Sequence, residues 1–103
     1  MYIDLGAEQL IVAEKEGKKI AVEIKSFVAV SAIYDFHLAI GQYRNDQLAL
    51  RQEEPERALY LAVPEDASDR FFTLQCIQDA LRYNEVWYLV YDGQAEVIVE
   101  WHS

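Results

Sequence analysis

Two charged residues, Glu23 and Lys25, are separated by one residue within an otherwise apolar run of sequence. On a β-strand alternate side chains lie on the same face, so the two groups would project together about 7 Å apart. Ionised side chains at the edge of a buried sheet are energetically costly unless they are paired or bind a metal ion. The spacing therefore predicts a small polar site in which an acid and an amine act together.

A further carboxylate beside Glu23 and Lys25 would give an arrangement that could hold Mg²⁺. This ion prefers oxygen ligands and usually takes one or two protein carboxylates, leaving its other positions to water and phosphate. Lys25 could then orient an attacking water or offset the charge of a phosphoryl-transfer transition state. The hypothesis is that Asp4 and Glu23 hold Mg²⁺, for which Mn²⁺ could substitute, and that Glu23 and Lys25 are catalytic.

Two acidic residues near the N-terminus, Asp4 and Glu8, are alternatives for the further carboxylate. If residues 16–17 form a two-residue turn, paired positions of the hairpin sum to 33, which places Glu8 opposite Lys25. Asp4 then reaches the site only if the chain bends at Gly6. We prefer Asp4 because its neighbours are strand-like, but the sequence leaves Glu8 open.

The elements that must position these residues follow from hydrophobic periodicity and turn signals. Strands are predicted over 2–5, 10–15, 19–27, 58–63, 86–91 and 95–101, and helices over 31–51 and 73–83. The resulting order, β-β-β-α-β-α-β-β, indicates an α/β (α+β) fold in which helices flank a mixed sheet. The length of 103 residues predicts one domain over 1–103.

The first predicted helix carries apolar residues on two sides. One stripe comprises Ile33, Phe36, Ile40, Tyr43 and Leu50, and the other comprises Tyr34, Leu38, Leu48 and Ala49. In the second helix the residues predicted to point inward are Leu74, Ile77 and Leu81. A helix with two apolar sides usually packs between layers or against a partner. Together with the aromatic residues of the last hairpin, Trp87, Tyr88 and Trp101, this predicts a homo-oligomer.

The charge balance limits the classes of partner. Nine Lys+Arg against 18 Asp+Glu give a net charge of −9, which argues against tight non-specific DNA binding. The lysines nevertheless cluster between 15 and 25 and the arginines between 44 and 82, so a local basic face could contact DNA. His37, Arg44 and Arg51 align along the first helix, where we favour a solvated polar ridge over a phosphate-binding track.

The cysteine count and the hydropathy profile indicate the cellular setting. A single cysteine, Cys76, excludes an intrachain disulfide and is typical of a reducing, cytoplasmic protein. No segment approaches the roughly 18 apolar residues of a membrane span, and no signal peptide is visible. We therefore expect a cytoplasmic protein without a membrane segment.

Four blocks of sequence resemble a known family. They are YIDLGAEQLIVAEKEGKKIAVEIKSF (2–27), FHLAIGQY (36–43), LYLAVP (59–64) and VYDGQAEVIVEW (90–101). These blocks resemble the XisH-type proteins, named as controlling factors for excision of the fdxN element in cyanobacteria, and more widely the PD-(D/E)xK nuclease superfamily. The resemblance implies a restriction-endonuclease-like fold and a role in DNA rearrangement, alongside a recombinase and a small companion protein, XisI.

The resemblance also implies roles for individual residues. Asp4 and Glu23 match the metal carboxylates of the superfamily, Lys25 matches its active-site lysine, and Gln42 resembles the helix glutamine of several branches. Ile3 stands where the superfamily has a proline. The helix and strand that usually precede this segment in the family are not seen here, so we expect either a shortened chain or a partner that covers the gap.

Two functions follow from these observations. The first is an accessory factor for excision of a DNA element, with a nuclease-like core that acts as a Mg²⁺-dependent DNA phosphodiesterase. The second is a non-catalytic module of the same fold that binds a XisI-type companion. Glu23 and Lys25 favour the enzyme, whereas the net charge and the missing front segment favour the module.

Overall fold

A computed structural model describes residues 9–25, 27 and 32–103 of the chain. The strands β1 to β5 span Gln9–Lys15, Lys18–Ile24, Ala58–Pro64, Tyr88–Asp92 and Val97–His102. The helices are α1 (Ala32–Glu53), α2 (Glu65–Ala67), which a π-helical turn continues over Ser68–Phe72, and α3 (Gln75–Tyr83). The strand predicted over 2–5 lies outside the described residues.

The strands form one mixed sheet in the order β1-β2-β3-β4-β5. The outer pairs, β1 with β2 and β4 with β5, are antiparallel, while β3 pairs in parallel with both β2 and β4. Parallel neighbours need a crossover connection, which α1 provides between β2 and β3, and the α2–α3 segment provides between β3 and β4. The predicted mixed sheet with flanking helices is confirmed.

The first hairpin fixes the register of the strand that carries Glu23. Glu16 and Gly17 have φ values of 52° and 79°, so both occupy the left-handed region that a tight two-residue hairpin turn requires. Lys15 consequently pairs with Lys18, and Leu10 pairs with Glu23. Paired positions sum to 33 along the described hairpin, as predicted. Glu8 lies outside the described residues.

Helix α1 packs on the sheet through one of its two apolar stripes. Phe36, Tyr43 and Leu50 are at most 2% exposed, whereas Ile33, predicted for the same stripe, is 46% exposed. The opposite stripe stays on the surface, with Tyr34, Leu38 and Leu48 among the exposed apolar side chains. None of the described helices is long and apolar enough to cross a membrane.

The segment before α3 differs from the prediction. The helix begins at Gln75 rather than at 73, and Leu74 is the extended residue that precedes it. Leu74 is therefore 46% exposed instead of buried, while Ile77 and Leu81 are buried as predicted. The unpredicted π-helical turn supplies Phe71 and Phe72 to the core, where both rings pack edge-on against Phe36.

Candidate functional site

Glu23 lies near the end of β2 on the face of the sheet that α1 covers. Ala21 on the same face is fully buried with the α1 side chains, whereas Ile20 packs with Val22 and Ile24 on the opposite face. This alternation is the predicted one. The Glu23 side chain is itself 0% exposed, so a carboxyl group is enclosed between the sheet and the helix.

Asp46 of α1 is the immediate polar neighbour of Glu23. Its side chain is 2% exposed, and its carboxyl group lies within hydrogen-bonding reach of the Glu23 carboxyl. Apart from the contact between the two carboxyl groups, no hydrogen bond in the described part of the chain reaches either Glu23 oxygen or the Oδ2 atom of Asp46. Two adjacent buried carboxyl groups cannot both ionise cheaply unless a cation lies between them. Without a cation, one of the two groups keeps its proton.

The surroundings of Glu23 favour its neutral form. The pKa of Glu23 is raised from 4.5 to about 9, first by burial and further by the hydrogen bond and the charge of Asp46. The positive charge of Lys25 acts in the opposite direction. In the metal-free protein at neutral pH, Glu23 therefore holds a proton that it can donate to Asp46.

Lys25 is close to Glu23, and Gln42 lies on the same helix as Asp46. The backbone N–H of Lys25 donates to the Ala62 carbonyl at 3.3 Å, so the pairing with β3 extends past the end of β2. The half-buried Lys25 therefore continues the extended backbone of β2. Its positive charge lowers the pKa of Glu23. Gln42, also half-buried, precedes Asp46 by one turn of α1 and so shares its side of the helix.

Tyr43 fixes the position of α1 over the sheet. Its hydroxyl donates to the Leu59 carbonyl of β3 at 2.8 Å and accepts from the Trp87 N–H, just before β4, at 3.2 Å. Burial raises the pKa of Tyr43, and the nearby Glu23 charge contributes in the same direction. Tyr43 therefore joins α1 to two strands only three residues before Asp46.

The donor atoms at this site fit a divalent cation by type. Carboxylate oxygens are the ligands that Mg²⁺ prefers, and one or two of them are the usual protein contribution. The described residues contain no cluster of three or more His, Cys, Asp or Glu side chains that could hold a metal ion. Asp4, the predicted partner of Glu23, and its rival Glu8 both lie outside that part of the chain.

Sequence reasoning missed Asp46, although the sequence contains a signal for it. The buried stripe of α1 runs through Phe36 and Tyr43 to Leu50, and helical spacing requires an inward position between the last two. Asp46 occupies that position. A charged residue at an inward position marks a site that needs a partner.

Among the described residues, four of the nine lysine and arginine side chains form ion pairs with acidic neighbours. Ion pairs join Lys19 to Glu56, Arg57 to Glu54, Arg70 to Asp66 and Arg82 to Asp79. His37, Arg44 and Arg51 are exposed along α1, and Arg44 donates to the Asn84 carbonyl at 3.0 Å. The ion pairs therefore compensate four of the basic charges at short range, and the local basic face predicted from the sequence stays a prediction.

The family follows from comparison of the whole chain with known proteins. A family profile described as XisH protein matches residues 1–99. The chain belongs to the XisH family. It is 46% identical to an XisH family protein from Nostoc punctiforme PCC 73102, with a TM-score of 0.87 over 100% of this chain and 83% of that chain.

A second crystal structure supports the same assignment. The fdxN element excision controlling factor protein from Anabaena variabilis is 46% identical, with a TM-score of 0.86 over 100% of this chain and 82% of that one. A search of the curated proteins gave no match. The XisH family and the mixed α+β fold that the sequence blocks implied are both confirmed.

Proposed function

We propose that this XisH-family chain acts as a controlling factor for excision of a DNA element and that it does so through a divalent-cation site at Glu23. The role is the one named for the Anabaena variabilis relative. The observation that supports the cation site is the enclosure of Glu23, whose carboxyl oxygens have no donor in the described part of the chain, beside Lys25 and Asp46. A buried acceptor without a donor is costly, and a bound cation would remove that cost.

The chain's own residues would each contribute to phosphodiester cleavage. Glu23 would hold the ion, and Mg²⁺, or Mn²⁺ in its place, would supply charge stabilisation at the phosphoryl group when bound. Lys25 is near enough to influence Glu23 and would orient a water or offset negative charge on the phosphate. Gln42, one turn before Asp46, would position a water or a phosphate oxygen from the helix side.

The DNA would approach through basic side chains of α1 that face solvent. Arg44 and Arg51 are exposed on α1, the same helix that carries Gln42. Since phosphate contacts provide most of the affinity for DNA, the net charge of −9 implies weak and salt-sensitive binding by the isolated chain. We infer that a partner protein or a particular DNA structure supplies the remaining affinity.

The second candidate function is a non-catalytic module that binds a XisI-type companion. The observation in its favour is the complete burial of Glu23, because Mg²⁺ usually retains several waters and dehydrates reluctantly. In that case the hydrogen bond between the Glu23 and Asp46 carboxyl groups would have only a structural role. The exposed apolar stripe of α1 would then face the companion.

Cleavage of plasmid and branched DNA in the presence of Mg²⁺ tests the enzymatic function. We expect wild-type protein to cleave and Lys25→Ala to lose about 100-fold in rate, the magnitude typical of removing an electrostatic stabiliser. Lys18→Ala is the matched control, because Lys18 lies at the other end of β2 and should leave the rate unchanged. Equal background cleavage by wild type and Lys25→Ala would exclude the enzyme.

Co-purification with a XisI-type companion tests the module. The second candidate predicts a stable complex with wild type and with Lys25→Ala alike, since it gives the cation site no role. If the chain does not co-purify with the companion, this function is excluded.

A further inference from the structure

Asp46 is, with Glu23, one of the two buried polar or charged side chains in the described part of the chain. We propose that Asp46 supplies, from α1, the second carboxylate of the divalent-cation site, so that one ion is held between helix and sheet. This inference rests on the proposed function of Glu23. It assigns the second ligand to a helix residue and not to the N-terminal segment.

The hydrogen-bonding capacity of the two carboxyl groups supports this assignment. A single shared proton gives one O–H donor, which satisfies one acceptor oxygen and leaves the others without a partner. Apart from the contact between the two carboxyl groups themselves, both Glu23 oxygens and Asp46 Oδ2 are buried and have no hydrogen-bond partner among the described residues. A divalent cation between the two groups would neutralise both charges and contact several of these oxygens at once.

The backbone of α1 holds Asp46 in place for such a role. Tyr43, three residues earlier, is fixed by hydrogen bonds to Leu59 and Trp87, and Leu50, four residues later, is buried at 2% exposure. Side chains at these spacings lie on one side of a helix, so Asp46 lies between two buried side chains that fix the position of the helix. A ligand held this way needs little rearrangement to bind an ion.

Binding of Mn²⁺, followed by the loss of the free-ion electron paramagnetic resonance signal, tests the inference without an activity assay. We expect one bound ion in wild type and at least tenfold weaker binding in Asp46→Asn, which keeps the size of the side chain and can donate to Glu23. Glu53→Gln is the control, since Glu53 is exposed at the end of the same helix. Its affinity should equal that of wild type.

The outcomes separate this inference from the proposed function. If Asp46→Asn binds Mn²⁺ as wild type does while Glu23→Gln does not, Asp46 is not a ligand but the Glu23 site stands. If wild type binds no Mn²⁺ at millimolar concentration, both are wrong. Circular dichroism verifies folding of each variant, and Asp46→Ser replaces Asp46→Asn under the same criterion should the latter not fold.

Discussion

At the scale of single residues, the site is defined by two adjacent buried carboxyl groups, those of Glu23 and Asp46. Glu23 would ordinarily ionise well below neutral pH, but burial beside Asp46 raises its pKa to about 9. Lys25 is close enough to oppose this shift without cancelling it. In the proposed function, a divalent cation would take the place of the Glu23 proton.

The raised pKa of Glu23 predicts the pH dependence of stability in the metal-free protein. Between about pH 5 and pH 9 the folded state keeps a proton that the unfolded state has released, so the free energy of unfolding must fall as pH rises. The stabilisation is complete below pH 4.5 and is lost through about pH 9. We expect a slope of roughly 1 kcal/mol per pH unit from urea unfolding.

The Glu23→Gln variant isolates this contribution. An amide does not titrate, so its free energy of unfolding should vary much less over the same pH range. Glu14→Gln, at an exposed position of β1, should retain the wild-type slope. A slope in Glu23→Gln as steep as in wild type would show that another group causes the pH dependence.

At the scale of secondary structure elements, one buried hydroxyl connects α1 to the parallel strands of the sheet. Tyr43 is 1% exposed and hydrogen-bonds to the carbonyl of Leu59 and the N–H of Trp87. Its ring also belongs to the main core cluster beneath α1. The position of Asp46 over Glu23 therefore depends on a contact three residues away.

Tyr43→Phe should destabilise the protein by about 1–3 kcal/mol, because it leaves a buried carbonyl and a partly buried N–H without their partner. Chemical denaturation measures the loss. Tyr83→Phe provides a matched control with little expected effect, since Tyr83 is 88% exposed. Similar stabilities for Tyr43→Phe and wild type would mean that the hydroxyl does not fix α1.

The sequence predicted local features of the fold better than it predicted their tertiary neighbours. The turn at Glu16-Gly17 and the alternation around Glu23 follow from backbone geometry, which local sequence determines. Helical spacing marks Asp46 as an inward position between Tyr43 and Leu50, but charged residues in mid-helix normally face solvent, so its burial was not predicted. The π-helical turn over Ser68–Phe72 was missed because its polar start, SDR, is typical of a loop.

At the scale of the whole molecule, an acidic surface carries a separate apolar stripe. Tyr34, Leu38 and Leu48 are 61%, 48% and 58% exposed on the outer side of α1. In the last hairpin Trp87 is 43% exposed, whereas Tyr88 is buried and Trp101 packs edge-on against Tyr60 at 5.1 Å. Only part of the aromatic surface predicted for association is therefore accessible, so α1 becomes the main expected contact.

We predict that the wild-type chain self-associates through this stripe, because the contact removes apolar area from water. Light scattering at high protein concentration should give a mass above the 11.9 kDa of one chain. The double variant Leu38→Glu, Leu48→Glu should be monomeric, while Leu74→Glu, an exposed apolar position outside the stripe, should associate like wild type. A monomeric wild type would contradict the prediction.

Anomalous scattering from a crystal of the protein soaked in Mn²⁺ shows whether a divalent cation binds at Glu23. We expect a peak at about 2.1 Å from a Glu23 carboxylate oxygen, the distance usual for Mg²⁺ ligands, and no such peak in Glu23→Gln. Ordered Mn²⁺ elsewhere in the crystal, with no peak beside Glu23 in the wild type, would contradict it.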